Sequence, residues 1–383
     1  MNIVGIICEY NPFHNGHIYH LNKVKELFPD SLIILVMSGN FTQRGIPSVI
    51  DKWDKTEIAL KYGIDLVIEL PFVFATQSAD IFAHGAISIL KELKAEYLVF
   101  GSESNDVENL KRLADISLNN TEYQTLIKKY LDDGLNYPTA LSKALESFNQ
   151  TTITTPNDLL GLSYIKEIIK QNANITPISI KRTNDYHSKE LDDISSATSI
   201  RNALLENKDI HKYVPKEVIN CILKNTYFQN DYFPFLKYKI TTTDDLSIFQ
   251  TVDEGIETRI KKNILDTTCW EDLVEKIKTK RYTYNKINRM SIHILCNFTK
   301  EKAQKWKEIE YIRVLGFSEN GQKYLNKIKK ETNVDIVTTF SKGNSDMLEY
   351  EQLVTNVFAS ILPEDIKNQI IKNEYQNKPK RKS

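Results

Sequence analysis

Two histidines three residues apart, His14 and His17, lie in the segment YNPFHNGH, residues 10–17, between an apolar run and an amphipathic one. Gly16 lets the backbone approach a ligand closely where a helix is expected to start. The unpaired N–H groups and positive dipole end of a helix favour an anion. Imidazoles there suit the α-phosphate of a nucleotide, where negative charge builds up during displacement. A helix cap with one buried and one exposed histidine is the alternative.

A second candidate segment, ISSATSIR, occupies residues 194–201. Its Ser and Thr residues are typical of a helix start, where their hydroxyls cap unpaired N–H groups. Arg201 would then stand in the first helical turn, where a cation opposes the helix dipole. Such a charge needs an anion nearby, and a triphosphate would supply one. We therefore take His14, His17 and Arg201 as the candidate catalytic residues.

A third segment, residues 276–289, carries six cations and no acidic residue, with two tyrosines interleaved. Cations bind phosphates, and tyrosines stack on the bases of single-stranded RNA loops. The alternative is a solvated helix face whose tyrosines pack inward. We favour RNA as the ligand, and the expected contacts are Lys278, Lys280, Arg281, Tyr282, Tyr284 and Arg289.

Short apolar runs alternate with amphipathic segments through the first half of the chain. The expected strands are residues 2–8, 31–37, 66–70, 97–100 and 175–181. The expected helices are residues 17–28, 52–61 and 78–93, with further helices inside 106–171 and another from about residue 198. This alternation indicates an α/β fold with a parallel sheet covered on both faces. Ligands of such sheets bind beyond the carboxyl ends of the strands, where the histidine segment would lie.

The length of 383 residues exceeds what one hydrophobic core usually serves, so two domains are expected. We place the boundary near residue 205, with a nucleotide-binding domain at 1–205 and a mainly helical domain at 206–383. The second domain should contain a small strand–helix–strand unit near 312–339. Its basic end, residues 378–382, is expected to form a disordered tail.

The charge balance hides an asymmetry between the two halves. Residues 1–200 carry 18 Lys and Arg against 25 Asp and Glu, whereas residues 201–383 carry 32 against 25. A basic second half suggests a polyanionic partner, and chance drift of surface charge is the alternative.

Composition excludes several classes of protein. The four cysteines are far apart, which argues against a disulfide scaffold and fits a reducing cytoplasm. Without an apolar run of about 20 residues or a signal-peptide pattern at the start, we expect neither a membrane protein nor a secreted one.

Several segments, taken together, resemble a known family. The first two motifs resemble those of the HIGH-motif nucleotidyltransferase superfamily. Residues 5–17, 37–45, 100–103, 155–157 and 279–284 are similar, in order, to segments of the bacterial tRNA(Met) cytidine acetate ligases. The second motif is one residue longer than the usual superfamily form, which leaves open whether Ser195 or Ser196 contacts phosphate.

The resemblance implies a Rossmann-like catalytic domain followed by a mainly helical domain that binds tRNA. It also implies that ATP and acetate form acetyl-adenylate, which then acetylates the wobble cytidine of elongator tRNA-Met without acetyl-CoA. Mg²⁺ is expected on the phosphates. The implied ATP contacts are Ile7, Cys8, Glu9, Tyr10, Asn11, Pro12, Phe13, His14, Asn15, Gly16, His17, Ile18, Tyr19, His20, Gly101, Asn157, Arg182 and Ser199.

Some of these positions have plainer interpretations. Gly101 could be a turn glycine, Asn157 a helix N-cap and Arg182 a surface arginine. The polar loop 43–45 is expected beside the crevice, where it would hold the small carboxylate or the acceptor base, or simply be solvated. Outside the first motif, the histidines lack metal-ligand spacing, and only His187 lies near the expected site.

Two other functions fit part of the pattern. A small-molecule adenylyltransferase would share the first domain but would not explain a second, basic domain of about 180 residues. An RNA-binding protein with a degenerate nucleotide fold would not need the intact His14, Gly16, His17 and Arg201. Neither a protein partner nor a membrane partner is expected.

Overall fold

A computed structural model describes residues 1–149, 153–182 and 196–382. The strands are β1 (Ile3–Cys8), β2 (Leu32–Ser38), β3 (Leu66–Leu70), β4 (Tyr97–Ser102), β5 (Thr176–Lys181), β6 (Tyr311–Phe317), β7 (Asp335–Val337) and β8 (Lys380–Arg381). The helices of the first half are α1 (Asn15–Leu27), α2 (Lys52–Lys61), α3 (Phe72–Ala75), α4 (Ala79–Glu92), α5 (Val107–Asn119), α6 (Thr121–Asp132), α7 (Tyr137–Asn149), α8 (Pro156–Lys170) and α9 (Ala197–Leu205).

The second half contributes most of the remaining helices. These are α10 (Lys216–Ile222), α11 (Phe233–Thr242), α12 (Ile256–Ile264), α13 (Trp270–Ile277), α14 (Tyr284–Leu295), α15 (Lys300–Lys305), α16 (Glu319–Ile328), α17 (Asp346–Ala359) and α18 (Glu364–Gln376). None of the helices in the described part of the chain is long and apolar enough to cross a membrane.

The sheet has the order β5-β4-β1-β2-β3-β6-β7, and β8 pairs with β6. Strands β1 to β5 are parallel, as the sequence predicted. The chain runs outward from β1 through β2 and β3, then returns to place β4 on the other side of β1. This reversal creates a crevice beyond the carboxyl ends of β1 and β4, which is where ligands of open α/β sheets bind.

The apolar strands are buried on both faces, which explains why they read as continuous apolar runs. In β2, Ile34 and Val36 pack in one core while Leu35 and Met37 pack in the other, because successive side chains of a strand point to opposite faces. Helices α1, α2 and α9 cover the second face, and α4 and α8 cover the first.

The expected boundary near residue 205 does not separate two folding units. Strand β6 pairs antiparallel with β3, so the predicted strand–helix–strand unit β6-α16-β7 exists but extends the first sheet. Helices α11 to α14 also share one continuous core with the sheet. The physical reason is the edge of β3, whose unpaired backbone groups need a partner strand.

The expected disordered tail is also wrong. Lys380 and Arg381 form strand β8 and pair with Gly316 and Phe317 of β6. The Lys380 ammonium donates a hydrogen bond to Glu57 at 2.5 Å, and the Arg381 guanidinium lies 5.9 Å from the ring centre of Phe317. Sheet pairing and these contacts hold the basic end against the protein.

A buried ionic cluster joins the last helix to the sheet. Lys52 Nζ lies 2.6 Å from Glu69 Oε1 and 2.9 Å from Glu374 Oε1. Arg313 Nη1 lies 3.1 Å from Glu69 Oε2 and also bonds to Glu374. Two cations therefore balance two carboxylates, and all four side chains are buried.

Glu351 lies beside this cluster and is expected to make stability depend on pH. Burial and the charge of Glu69 raise the pKa of Glu351 from 4.5 to about 8. Between these values the folded state keeps a proton that the unfolded chain releases, so rising pH favours unfolding. The backbone N–H of Phe72 donates a hydrogen bond to Glu351 Oε1 at 2.6 Å. The variant Glu351→Gln keeps an amide oxygen that can accept this bond.

Urea denaturation at pH 5, 6.5 and 8 should therefore show the Glu351→Gln variant gaining stability relative to the unmodified protein. The gain should reach at most about 1.4 kcal/mol per pH unit. A constant difference across this range would show that Glu351 is ionised in the folded state.

Candidate active site

The loop after β1 fixes the proton positions of both histidines. His14 caps α1, and its Nδ1 accepts a hydrogen bond from the backbone N–H of Gly16 at 3.0 Å. The Nδ1 of His17 accepts from the backbone N–H of His14 at 3.2 Å. Because both Nδ1 atoms are acceptors, the hydrogen-bond network assigns the ring proton of each neutral histidine to Nε2. The pair can thus offer two N–H donors to a ligand.

Both rings are uncharged at neutral pH. Burial, reinforced by Arg182 and Arg201, lowers the pKa of His14 to about 3. Burial also lowers the pKa of His17 well below its ordinary value, with His14, His20 and Arg182 adding to the effect. Neutral histidines can donate hydrogen bonds but carry no charge, so positive charge at the site comes from other residues.

Helix α9 brings Arg201 to the histidine loop. Arg201 Nη1 donates to the carbonyl oxygen of Asn11 at 2.7 Å, and Nη2 donates to Thr198 Oγ1 at 3.2 Å. Ser196 is the N-cap of α9 and accepts from the backbone N–H of Ser199 at 3.1 Å. The structure thus brings the three candidate catalytic residues together, although the motif segments lie far apart in sequence. Ser195 and His187 lie outside the described residues.

Ser199 is placed differently from the expectation. It is 2% exposed, and its hydroxyl donates to the carbonyl oxygen of Ser196 at 2.9 Å. Thr198 instead presents its hydroxyl to the arginines, and Arg44 Nη1 also donates to it at 3.4 Å. At the start of α9, the Thr198 hydroxyl therefore faces the crevice, whereas the Ser199 hydroxyl bonds within the first turn of the helix.

Three arginines, Arg44, Arg182 and Arg201, and two carboxylates, Glu9 and Glu103, set the charge of the crevice. Burial, and the nearby charge of Arg44, lower the pKa of Arg201 to about 10, while Glu9 opposes this shift. Burial also lowers the pKa of Arg44. The charge of Glu9 opposes this shift, and the charge of Arg182 adds to it. Like charges held this closely favour a polyanion in the crevice.

The end of β4 and the start of α8 form the opposite wall. A Cβ at Gly101 would lie 3.3 Å from Arg182 Cγ, so the bare backbone gives the arginine room. Asn157 Nδ2 donates to Glu103 Oε1, and Arg182 Nε lies 4.0 Å from the same oxygen. Glu103 was not singled out by its chemistry in the sequence, although it lies in one of the family-like segments.

Asn157 is not the helix cap that its position after Pro156 suggested. Thr155 is the N-cap of α8, and Asn157 is the second helical residue. Arg182 is only partly exposed, and its Nε is buried without a hydrogen-bond partner among the described residues. Both side chains thus face Glu103 within the wall.

Several buried residues of the first motif pack against the histidine loop. Tyr10 and Phe13 are buried, and the His17 ring centre lies 4.7 Å and 5.6 Å from their ring centres. Asn11 is buried as well and accepts from the backbone N–H of Val49 at 2.7 Å. These side chains hold the loop in shape.

Lys55 is a site residue that sequence reasoning missed. Its buried ammonium donates to the carbonyl oxygens of Glu9, Ser38 and Gly39 at 3.1, 2.8 and 3.0 Å. Burial lowers its pKa to about 7, yet three acceptors match the three N–H groups of the charged form. Lys55 thus ties the carboxyl ends of β1 and β2 together. A lysine within an ordinary helix carries no sequence signal of this role.

The basic segment 276–289 is only partly a surface. Lys280, Arg281 and Tyr284 are exposed, and Tyr284 is 47% exposed with Lys278 Nζ lying 4.2 Å from its ring centre. Tyr282 is 3% exposed and donates its hydroxyl hydrogen to the carbonyl oxygen of Asp253 at 2.6 Å, so the expectation that it stacks on a base is wrong.

Arg289 is only partly exposed. Its Nη1 donates to the carbonyl oxygen of Gln43 at 3.2 Å, and burial lowers its pKa to about 10. The inward packing of Tyr282 and Arg289 follows from the amphipathic character of this region, whose apolar residues join the core.

Comparison with known proteins agrees with this architecture. A family model described as HIGH Nucleotidyl Transferase matches residues 1–374. The tRNA(Met) cytidine acetate ligase of Anoxybacillus flavithermus is 40% identical, with all of both chains covered. That of a Geobacillus species is also 40% identical, over 99% of each chain.

Two solved structures of Thermotoga maritima TmcAL have the same fold. The apo form superposes with a TM-score of 0.92 at 33% identity, and covers 100% of this chain and 99% of that one. A form bound with alpha-thio ATP gives a TM-score of 0.89 at the same identity and coverage. The chain therefore belongs to the HIGH nucleotidyl transferase family and, within it, to the family of the tRNA(Met) cytidine acetate ligases.

Proposed function

We propose that this chain acetylates the exocyclic amine of the wobble cytidine of elongator tRNA-Met, with acetate and ATP as co-substrates. The observation that carries the proposal is the meeting of His14, His17 and Arg201 at the crevice beyond β1. It is supported by full-length relatives named tRNA(Met) cytidine acetate ligase and by a related structure bound with alpha-thio ATP. We propose the cytoplasm as the compartment.

In the first step, a carboxylate oxygen of acetate attacks the α-phosphorus of ATP. The bond from this phosphorus to the bridging oxygen of the β-phosphate breaks, and pyrophosphate leaves with the electron pair. The Nε2–H groups of His14 and His17 donate to α-phosphate oxygens as charge builds on them. Arg182 and Arg201 neutralise the phosphates, so the protein mainly positions the reactants.

In the second step, the amine of cytosine attacks the acetyl carbonyl carbon. The carbon–oxygen bond to AMP breaks, AMP leaves with the electron pair, and the amine loses a proton. Adenylation makes this possible, because AMP is a far better leaving group than hydroxide. The acetate would lie beside Arg44, whose guanidinium donates to Thr198 Oγ1 at 3.4 Å and interacts electrostatically with Glu9.

Mg²⁺ is expected to arrive on the phosphates of ATP, its usual ligands. Among the described residues, no three His, Cys, Asp or Glu side chains are grouped so as to hold a metal ion.

The exposed part of the basic segment is the proposed tRNA surface. Lys278, Lys280, Arg281 and Tyr284 offer cations and one aromatic ring to an anticodon loop, which is single-stranded. Ion pairs with Glu275 and Glu254 hold Lys278 and Arg281 at 3.2 Å and 3.5 Å in the absence of RNA. Phosphates would replace these carboxylates, so binding should weaken with added salt.

The test is transfer of isotope-labelled acetate to bulk bacterial tRNA in the presence of ATP and Mg²⁺, without acetyl-CoA. Mass spectrometry of the nucleosides should show labelled acetylcytidine only when ATP is present. Control reactions replace ATP by a non-hydrolysable analogue, or acetate by labelled acetyl-CoA.

If pyrophosphate release depends on acetate but no labelled tRNA forms, the proposed acceptor is wrong and the adenylation of acetate still stands. If acetate has no effect on pyrophosphate release, the ligase is excluded and the small-molecule adenylyltransferase becomes the better hypothesis.

A further inference from the structure

Helix α14 lies directly on the loop that carries Arg44. Gly45 has a φ of +71°, and a Cβ there would lie 2.1 Å from the backbone nitrogen of Arg289. Only glycine allows the two backbones to come this close. The helix therefore touches the loop through main-chain atoms as well as side chains.

Arg289 adds a partly buried cation to this contact. Its Nη1 donates to the carbonyl oxygen of Gln43 at 3.2 Å, while its Nε is buried without a hydrogen-bond partner among the described residues. Over those same residues, no carboxylate opposes the lowering of its pKa by burial. Removing part of a charge from water without an opposite charge beside it is costly, so this arginine is unusual as a purely structural residue.

The loop is held from several directions next to Arg44. The backbone N–H of Gln43 donates to Glu9 Oε1 at 2.7 Å, and its side chain donates to the carbonyl oxygen of Gln77 at 3.0 Å. Arg44 then reaches Thr198 Oγ1 at 3.4 Å. A shift of the Gln43 peptide would move Arg44 away from Thr198. Arg201, which donates to the same Thr198 oxygen, would then no longer have Arg44 beside it.

Helix α14 is itself anchored independently of the loop. Trp270 Nε1 donates to Asn288 Oδ1 at 2.9 Å. His293 is buried, and its Nε2 lies 2.7 Å from the carbonyl oxygen of Thr76. The helix begins at the exposed Tyr284, inside the proposed tRNA surface. One rigid element thus connects that surface to the loop at the crevice.

We propose that Arg289 is a positioning residue for the adenylation step, which holds Gln43 so that Arg44 stays beside Thr198 and Arg201. It acts through the loop and does not contact RNA, contrary to the expectation from sequence. This inference rests on the proposed function, because acetyl-adenylate formation is the step that it would support.

The experiment compares Arg289→Gln, Arg289→Lys and Arg112→Gln with the unmodified chain. Arg112 is an exposed arginine on α5 and serves as the matched control. Acetate-dependent exchange of pyrophosphate into ATP gives KM for acetate and kcat separately. Calorimetry gives the affinity for ATP, filter binding gives the affinity for tRNA, and thermal unfolding reports folding.

Arg289→Gln should raise KM for acetate or lower kcat by about 10- to 100-fold in total, because misplacing a binding group by about 1 Å has effects of this size. Its tRNA affinity should stay within about twofold of the unmodified chain. Arg289→Lys should recover part of the loss, since an ammonium can still donate to the carbonyl of Gln43. Gly45→Ala, which pushes the loop off α14, should resemble Arg289→Gln.

Two outcomes would overturn the inference. If Arg289→Gln weakens tRNA binding, as Arg281→Gln should, but leaves pyrophosphate exchange unchanged, then Arg289 is an RNA contact. A loss of exchange that merely follows a lower melting temperature, with lysine no better than glutamine, would make it structural only. If the unmodified chain lacks acetate-dependent exchange, the proposed function fails, and the positioning role that rests on it fails with it.

Discussion

Replacing His14 by asparagine should lower acetate-dependent pyrophosphate exchange by about 10²- to 10³-fold while leaving the protein folded. His14 has two separable duties, because its Nδ1 caps α1 at Gly16 and its Nε2–H is free to donate to a phosphate. Asparagine places an oxygen where Nδ1 stands and has no atom at the position of Nε2. It is also among the best N-cap residues, so the helix start should keep its stability.

Glutamine at the same position provides the complementary variant. Its amide reaches the position of Nε2 but does not reproduce the Nδ1 cap, so His14→Gln should retain more exchange activity than His14→Asn. It should also lose about 1 kcal/mol of stability. Exchange assays and urea denaturation of both variants separate the two duties. Equal activity of the asparagine variant and the unmodified chain would show that His14 is only a helix cap.

Replacing Glu374 by alanine should destabilise the protein by about 3–5 kcal/mol, the usual effect of breaking a buried ion pair from one side. Glu374 is buried and faces both Lys52 and Arg313. Without it, two buried cations would share the single carboxylate of Glu69. Because Glu374 lies on α18 and Arg313 on β6, the loss should also loosen the last helix from the sheet.

Glu26→Ala is the matched control for this measurement. Glu26 also pairs with a lysine, Lys23, at 2.6 Å, but both side chains are largely exposed. Surface pairs contribute about 0–1 kcal/mol, so this variant should unfold at nearly the same urea concentration as the unmodified chain. A similar small change for Glu374→Ala would mean that water reaches Lys52 and Arg313 and that the cluster does not secure α18.

Local patterns were sufficient for most of the sheet. The predicted helix at 52–61 and the strand at 66–70 have the observed bounds, and the other predicted strands of the first half differ by one or two residues at their ends. Continuous apolar runs bounded by polar loops specify buried strands locally, which is why periodicity sufficed. The edge at which parallel strands end then placed the histidine loop in the crevice.

Contacts between distant segments were beyond such patterns. The pairing of β6 with β3 joins residues about 250 positions apart, and no local period encodes which open edge an apolar strand will choose. The basic segment shows the same limit. Charge and aromatic content predicted a surface, but whether Tyr282 and Arg289 point outward depends on which helix face meets the core.

The residue types of the crevice and their place at the carboxyl ends of strands followed from the amino-acid sequence, because strand–helix alternation and cap chemistry are local. Which side chains meet was decided by tertiary packing. It lowered the pKa of both histidines and so made them neutral donors. It also placed Thr198 rather than Ser199 among the arginines, and it let Lys55 bond to the ends of two strands. Burial and proximity set protonation and partner choice, and both arise only when distant segments come together.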